Sequence, residues 1–187
     1  NDGFLKTSMS YLFSRGFLNG LKALFQALLK REFTPILEII IKEELKDIDL
    51  DKVASIGLLN ITTDLLLGSR RYDILVSFYK AVKSMNKLPV FYSLNPKKLV
   101  HVLKRKDIDD AVIVLTLNEK GYKVYPSLDD VEKLILDNKG ITFWAMSVFN
   151  GADKDPYGFV KRFENIQGVI FGSSKIQNIK RNLEKFG

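Results

Sequence analysis

The chain has 187 residues, 46% of them hydrophobic and 27% charged, which is the composition of a globular protein long enough to form one domain without disulfides. It contains no cysteine and one histidine, so disulfides, iron–sulfur clusters and a cysteine nucleophile are excluded and no metal site is predicted. The formal net charge of +7 favours anionic partners and leaves nucleic acid open, but the lysines and arginines are spread over most of the predicted helices.

The first 55 residues are predicted to be mainly helical. Apolar residues recur at helical spacing over residues 4–31. Thr34 and Pro35 are typical of an N-cap and the first position of a helix that continues to residue 45, although the β-branched run at 39–41 leaves a strand as the alternative. A short helix with an aspartate cap is predicted at 47–55.

From residue 56 the pattern changes to alternating strands and helices. A compact apolar run predicts a strand at 56–62, and helical spacing predicts a helix at 72–85. Further strands are predicted at 90–94, 111–117, 141–148 and 168–171, each followed by a helix, at 96–104, 128–137, 155–163 and 175–185. Because such crossovers are right-handed, the strands should be parallel and covered by helices.

Two architectures fit this pattern, an open doubly wound sheet and a (β/α) barrel. A barrel usually takes about 250 residues, and only five or six strands are predicted here. We therefore predict a single α/β domain over residues 1–187. It would comprise a mainly helical part at 1–55 and parallel βα repeats at 56–187, arranged as an open sheet or an incomplete barrel.

Short motifs in the last units carry a resemblance to a known group of folds. In chain order they are Gly-Tyr-Lys-Val-Tyr-Pro-Ser at 121–127, Ala-Met-Ser at 145–147 and Gly-Val-Ile-Phe-Gly-Ser-Ser at 168–174. Their order resembles the closing units of aldolase-type and aldo-keto-reductase-like TIM barrels, and the stretch 118–127 is similar to uncharacterised prokaryotic and archaeal barrel proteins. The resemblance covers about residues 88–187 and implies a TIM-barrel-like fold rather than a particular reaction.

A glycine- and serine-rich segment before the last predicted helix is a candidate anion site. Gly172, Ser173, Ser174 and Lys175 would place amides, hydroxyls and an ammonium group at a helix N-terminus, where phosphate or carboxylate binds well. The alternative is that a serine simply caps this helix. We predict that these four residues bind an anionic ligand.

Polar residues at the ends of the other predicted strands supply the remaining candidates, because parallel α/β proteins place their sites there. Asp64, Tyr92 and Lys120 are the candidate catalytic residues, and Asn60 and Asn118 the candidate ligand-binding residues. Asp64 could act as a base, or it could cap the helix that follows.

The densest basic cluster lies on the helix predicted at 96–104. Lys97 and Lys98 precede a second group at 104–106, and the sole histidine, His101, lies between them. We interpret the cluster as a solvated helix face, with a binding stripe as the alternative. His101 is expected on the helix surface or partly packed.

Two functions follow from these patterns. The first is an enzyme acting on a small phosphorylated or carboxylated metabolite bound at the strand ends. The second is a non-catalytic α/β binding or assembly module, with nucleic acid as one partner. The aromatic-rich start of the chain also suggests a homo-oligomer. The substrate, reaction and cofactor are unknown from sequence.

No apolar stretch reaches the roughly 20 residues that a membrane-spanning helix needs, so no membrane partner is expected. The start Asn1-Asp2-Gly3 lacks the layout of a signal peptide, and we expect a cytoplasmic location. The chain does not begin with methionine, which suggests that residues are missing ahead of Asn1.

Overall fold

The structure, a computed structural model, describes Lys30, residues 32–150 and residues 155–186. These residues form an α/β fold whose five strands make one parallel sheet. They divide into two compact units, one running to Ile56 and including Ser69–Pro89, the other comprising Gly57–Gly68 and the chain from Val90 onward. The single-domain prediction stays a prediction, and the helix predicted at 4–31 lies outside the described residues except for Lys30.

The described part of the chain contains seven α-helices and one short 3-10 helix, Leu50–Lys52. In chain order the elements are α1 (Thr34–Glu44), β1 (Ser55–Leu58), α2 (Asn60–Gly68), α3 (Tyr72–Ser84), β2 (Leu88–Tyr92), α4 (Pro96–Lys104), β3 (Val112–Thr116), α5 (Leu128–Leu136), β4 (Thr142–Met146), α6 (Pro156–Lys161), β5 (Ile166–Ile170) and α7 (Ile176–Phe186). From β2 onward the predicted elements are confirmed, with ends that differ by about two residues at most.

The first unit contains α1 and α3, which pack against each other. The Ser84 hydroxyl on α3 donates a hydrogen bond of 2.7 Å to Glu38 on α1. At the start of α3, Arg71 donates hydrogen bonds to Asp73, and this guanidinium holds the pKa of the Asp73 carboxyl below its usual value of 3.8. An acidic group in the first turn also complements the helix dipole.

Two predictions in the first unit need correction. Thr34 is the first residue of α1 and not its cap, since Phe33 occupies the cap position without a side-chain hydrogen bond. The strand alternative at 39–41 is wrong because these residues are helical. The helix predicted at 47–55 is only the 3-10 turn Leu50–Lys52, begun by the Asp49 carboxylate, which accepts from the Asp51 amide at 3.2 Å. One aspartate cap was thus enough to start a turn but not a helix.

The sheet has the strand order β1-β2-β3-β4-β5, which follows the chain without reversal. Such an order contains no topological switch point of the kind found in doubly wound sheets. All five residues of β3, at the centre, are buried, as a strand covered on both faces requires. On β4 burial alternates: Phe143 and Ala145 are fully buried, whereas Trp144 and Met146, on the opposite face, are half-buried.

The strand predicted at 56–62 is shorter than expected. β1 ends at Leu58, and Asn60 opens α2, whose start is fixed by hydrogen bonds from the Thr63 amide to Leu59 (2.9 Å) and from the Thr63 hydroxyl to Leu58 (3.1 Å). The β-branched residues 61–63 favour a strand by propensity, but tertiary context overrides such preferences.

Candidate ligand site at the carboxyl edge of the sheet

Parallel strands all end at the same edge of a sheet, which we call the carboxyl edge. In the second unit this edge carries the start of α2 after β1, residues 93–95 after β2 and the loop 117–127 after β3. It also carries the turn that begins at Ser147 after β4 and residues 171–175 after β5. These are the segments in which the sequence places its candidate residues.

Asp64 joins the segments that follow β1 and β2. Its carboxylate accepts a hydrogen bond from the Ser93 hydroxyl at 2.6 Å and another from the Leu94 amide at 2.9 Å. The buried Ser93 hydroxyl in turn accepts from the Asn95 amide at 2.9 Å. The helix-cap alternative for Asp64 is wrong, because α2 already begins at Asn60. The carboxylate therefore holds the turn between β2 and α4, and its catalytic role stays a prediction.

Asn118 organises the loop that follows β3. The side chain is fully buried; its Nδ2 donates to the Tyr122 carbonyl, and its Oδ1 accepts from the Tyr122 amide, both at 2.8 Å. Between them Gly121, at φ +66°, donates to the Asn118 carbonyl at 3.0 Å. A positive φ of this kind is easy for glycine and strained for other residues. The predicted ligand residue Asn118 thus bonds to its own loop, on which Glu119 and Lys120 are exposed.

Tyr92 and Trp144 belong to one row of residues across the sheet. Tyr92 pairs with Val114, Val114 with Trp144, and Trp144 with Gly168, so their side chains share a face. The Tyr92 ring lies against Gly57 on β1, where a Cβ would stand 2.9 Å from it, and the Trp144 ring lies against Gly168 in the same way at 2.8 Å. Tyr92 therefore ends β2 as a half-buried ring packed over glycine.

In the segment before α7, the Ser173 hydroxyl forms hydrogen bonds with neighbouring residues of the chain. The Ser173 hydroxyl accepts from the Lys175 amide at 3.1 Å and from the Asn178 side-chain amide at 3.4 Å. The bond from the Lys175 amide closes a turn ahead of α7, which begins at Ile176, so Ser173 accepts from no main-chain amide of the helix and is not shown to be its cap. Gly172, Ser174 and Lys175 are exposed beside it, and the anion site predicted for the segment stays a prediction.

An open cavity of about 400 Å³ lies between α4 and the loop that follows β3. This volume is within the range of small-molecule sites. Its lining, which defines what we call the α4 cavity, consists of Asn95, Lys97, Lys98, His101, Tyr125 and Pro126. Three of these six residues are basic and none is acidic, so an anion in the cavity would meet no negatively charged side chain in its lining.

Local structure explains why the basic residues of the α4 cavity stand together. Asn95 caps α4 by accepting from the Lys98 amide at 3.3 Å, and Pro96 follows in the first turn. Lys97 and His101 are one helical turn apart, so they share a face, and both are exposed. The prediction that His101 lies on the helix surface is confirmed.

The cavities at the opposite edge have a different charge balance. In one of about 270 Å³, Arg162 is paired with Glu132 and also stacks on the rings of Phe159 and Phe163. Another, of about 380 Å³, mixes two lysines with three aspartates. Their cations already have anionic neighbours in the protein, whereas the lining of the α4 cavity contains none.

The residues of the α4 cavity were not among the site residues predicted from sequence. The sequence contains the Asn95-Pro96 pair, two lysines directly after it and a histidine one turn later. From sequence alone this cluster is interpreted as a solvated helix face because such a face has the same pattern. No local pattern connects Tyr125 to α4, since more than 20 residues separate them along the chain. Folding of the loop after β3 brings them together.

The described residues contain no group of three or more histidine, aspartate and glutamate side chains placed to hold a metal ion. Within the same residues, no helix has the length and apolar character needed to cross a membrane.

Comparisons with protein-family models, curated proteins and solved structures found no match for this chain. The resemblance to aldolase-type and aldo-keto-reductase-like barrels therefore stays a prediction.

Proposed function

We propose that this protein binds a small phosphorylated or carboxylated ligand in the α4 cavity. The observation that carries the proposal is the clustering of Lys97, Lys98 and His101 around a cavity of about 400 Å³ whose lining contains no acidic side chain. Hydrogen bonds between charged partners contribute about 1.5–3 kcal/mol each, more than neutral ones. Two lysine contacts, together about 3–6 kcal/mol, correspond to dissociation constants between tens of micromolar and several millimolar for a phosphate-bearing ligand.

The fold part of the proposal is a barrel-like winding. Strands that follow one another in chain order, joined by right-handed crossovers, are the winding of (β/α) barrels, in which ligands bind at the carboxyl edge. A full barrel has eight strands, and the described residues supply five. The fold we propose is thus an incomplete or atypical barrel, with its ligand at the edge where barrels bind theirs.

Support for binding is stronger than support for catalysis. An enzyme on this scaffold would need Asp64, Tyr92 and Lys120 near the ligand. The Asp64 carboxylate already accepts two hydrogen bonds from the turn after β2, and the Tyr92 ring packs over Gly57. We therefore keep the proposal to ligand binding, and the enzyme hypothesis rests on these three residues as a further step.

The test is calorimetric titration of the full chain with pyrophosphate, inorganic phosphate and citrate at low salt. The double variant Lys97→Glu/Lys98→Glu reverses the charge of the cavity, and we expect it to weaken binding at least about a hundredfold, from two contacts of about 1.5 kcal/mol or more each. A charge-matched control is Lys161→Glu/Lys180→Glu, which changes two exposed lysines on α6 and α7. It should lower the affinity only through long-range charge, a small effect at physiological salt.

Equal weakening by both double variants would mean that the anions respond to net charge and not to the α4 cavity. Absence of heat from all three anions at millimolar concentration would contradict the proposal directly. A cavity-specific loss would support it.

A further inference from the structure

The α4 cavity contains a group that an anion alone leaves unused. The Tyr125 side chain lines the cavity and is 59% exposed, so its ring is open to a ligand in the cavity. A phosphate on the lysines would not cover its face. The ligand that uses the whole lining therefore needs a flat ring as well as a negative charge.

The backbone around Tyr125 is fixed on both sides. Val124, just before it, is buried, and its amide donates to the Gly121 carbonyl at 3.1 Å. Just after it, the Ser127 hydroxyl caps α5 by accepting from the Asp130 amide at 3.1 Å. Because these bonds already order the segment, a ligand that stacks on the Tyr125 ring would cost little backbone entropy.

The basic side of the cavity continues along α4. Arg105 follows His101 one helical turn on and is exposed, about 12 Å beyond Lys97, whereas Lys104 lines the cavity at the opposite edge together with Asp107 and Asp109. Beyond Arg105 the surface changes sign, since the exposed residues 107, 109 and 110 are all aspartates. The basic track is thus long enough for one to a few phosphate groups but not for a long duplex.

Together these features point to one ligand chemistry, and this inference rests on the anion binding proposed above. We propose that the α4 cavity binds a nucleotide unit, with its phosphate on Lys97, Lys98 and His101 and its base stacked on the Tyr125 ring. Stacking of bases on exposed aromatic rings is tolerant of base identity and combines naturally with a positively charged track. The nucleotide unit could be free or part of a short single strand, and these sources share the same contacts.

The first experiment compares adenosine 5′-monophosphate with ribose 5-phosphate on the unmodified chain, with pyrophosphate as the reference anion. If the base stacks on Tyr125, the nucleotide should bind about tenfold or more tightly than the sugar phosphate. Because this comparison needs no variant, it does not depend on the folding of a mutant. Equal binding of the two would overturn the nucleotide inference, while binding of pyrophosphate would leave the proposed anion function intact.

The second experiment uses Tyr125→Ala with Tyr125→Phe as its matched control. Tyr125→Ala should weaken nucleotide binding about tenfold or more, and by a larger factor than it weakens pyrophosphate binding, whereas Tyr125→Phe keeps the ring and should bind like the unmodified chain. An alanine variant that binds the nucleotide as before would overturn the inference. Loss of nucleotide and pyrophosphate binding together in a folded alanine variant would overturn it as well.

A third comparison separates the two sources of the nucleotide. A single-stranded tetranucleotide that binds more tightly than the mononucleotide, with a steeper salt dependence, would identify a strand as the ligand. A tetranucleotide that binds no more tightly than the mononucleotide would identify the free nucleotide. An abasic strand that binds as well as the normal strand would overturn the base-stacking contact.

Discussion

The buried amide of Asn118 offers the sharpest test of how the loop that follows β3 is built. Asn118→Ala removes both 2.8 Å hydrogen bonds to the Tyr122 main chain. Each contributes about 0.5–1.5 kcal/mol net. We take each bond at about 1 kcal/mol, the middle of that range. We therefore expect a loss of about 2 kcal/mol, or about 4–8 °C in Tm for a chain of this length.

The assay is urea unfolding followed by the fluorescence of Trp144, the only tryptophan of the chain, which lies on β4 in the same unit as the loop. Asn118→Asp keeps the acceptor for the Tyr122 amide but loses the donor and buries a charge, so at neutral pH it should destabilise more than the alanine variant. Glu119→Ala, next to it and exposed, is the control and should be neutral within about 0.5 kcal/mol. An Asn118→Ala variant as stable as the unmodified chain would refute the two-bond arrangement.

Two further predictions concern packing and charge. Gly168→Ala places a Cβ 2.8 Å from the Trp144 ring and should destabilise the protein by about 1–3 kcal/mol. Its control, Gly172→Ala, meets nothing within 4 Å and should leave the stability unchanged. Equal urea midpoints for the two variants would contradict the packing of the Trp144 ring over Gly168. Arg71→Met removes the partner that lowers the pKa of Asp73. The stabilisation from a lowered carboxyl pKa is complete above the unfolded value of 3.8 and is lost as the pH falls through the lower folded value. The difference in urea midpoint between Arg71→Met and the unmodified chain should therefore be constant near neutrality and shrink below pH 3.8. A difference that grows on acidification would contradict this sign.

The regular half of the fold was predictable because its local signals agree with one another. Asn95, Ser127 and Asp155 each cap a helix in the structure, and each stands just after an apolar run or its loop in the sequence. Where local signals conflict, prediction failed: the β-branched residues 61–63 favour a strand, yet the Thr63 hydroxyl bonds back to Leu58 and supports the start of a helix. The β-propensity of these residues is outweighed by tertiary context, which includes the hydrogen bond from Thr63 to Leu58.

The sequence placed its candidate residues at strand ends, which holds for Tyr92 and Asn118, whereas Asn60 and Asp64 lie in α2; their roles in a site stay predictions. The sequence could not tell that the side-chain amide of Asn118 would bond to the Tyr122 main chain or that Ser173 would bond within its own turn. Nor does any local pattern predict that Tyr125 and α4 line one cavity, because their arrangement depends on the path of the loop after β3. Such information is long-range, and periodicity and capping rules carry only local information.

The hydrogen bonds at the carboxyl edge give Asp64 and Asn118 a structural role outside the lining of the α4 cavity. Asp64 ties down the turn that leads into α4, and Asn118 ties down the loop that carries Tyr125. A binding site needs its contact residues on a rigid support, since each side chain or loop ordered only on binding subtracts from affinity. On this reasoning Asp64 and Asn118 fix two segments, and the ligand contacts that we propose lie on those segments, at Lys97 and His101 on one side and Tyr125 on the other. Substitutions at Asp64 or Asn118 should then weaken ligand binding without touching the ligand.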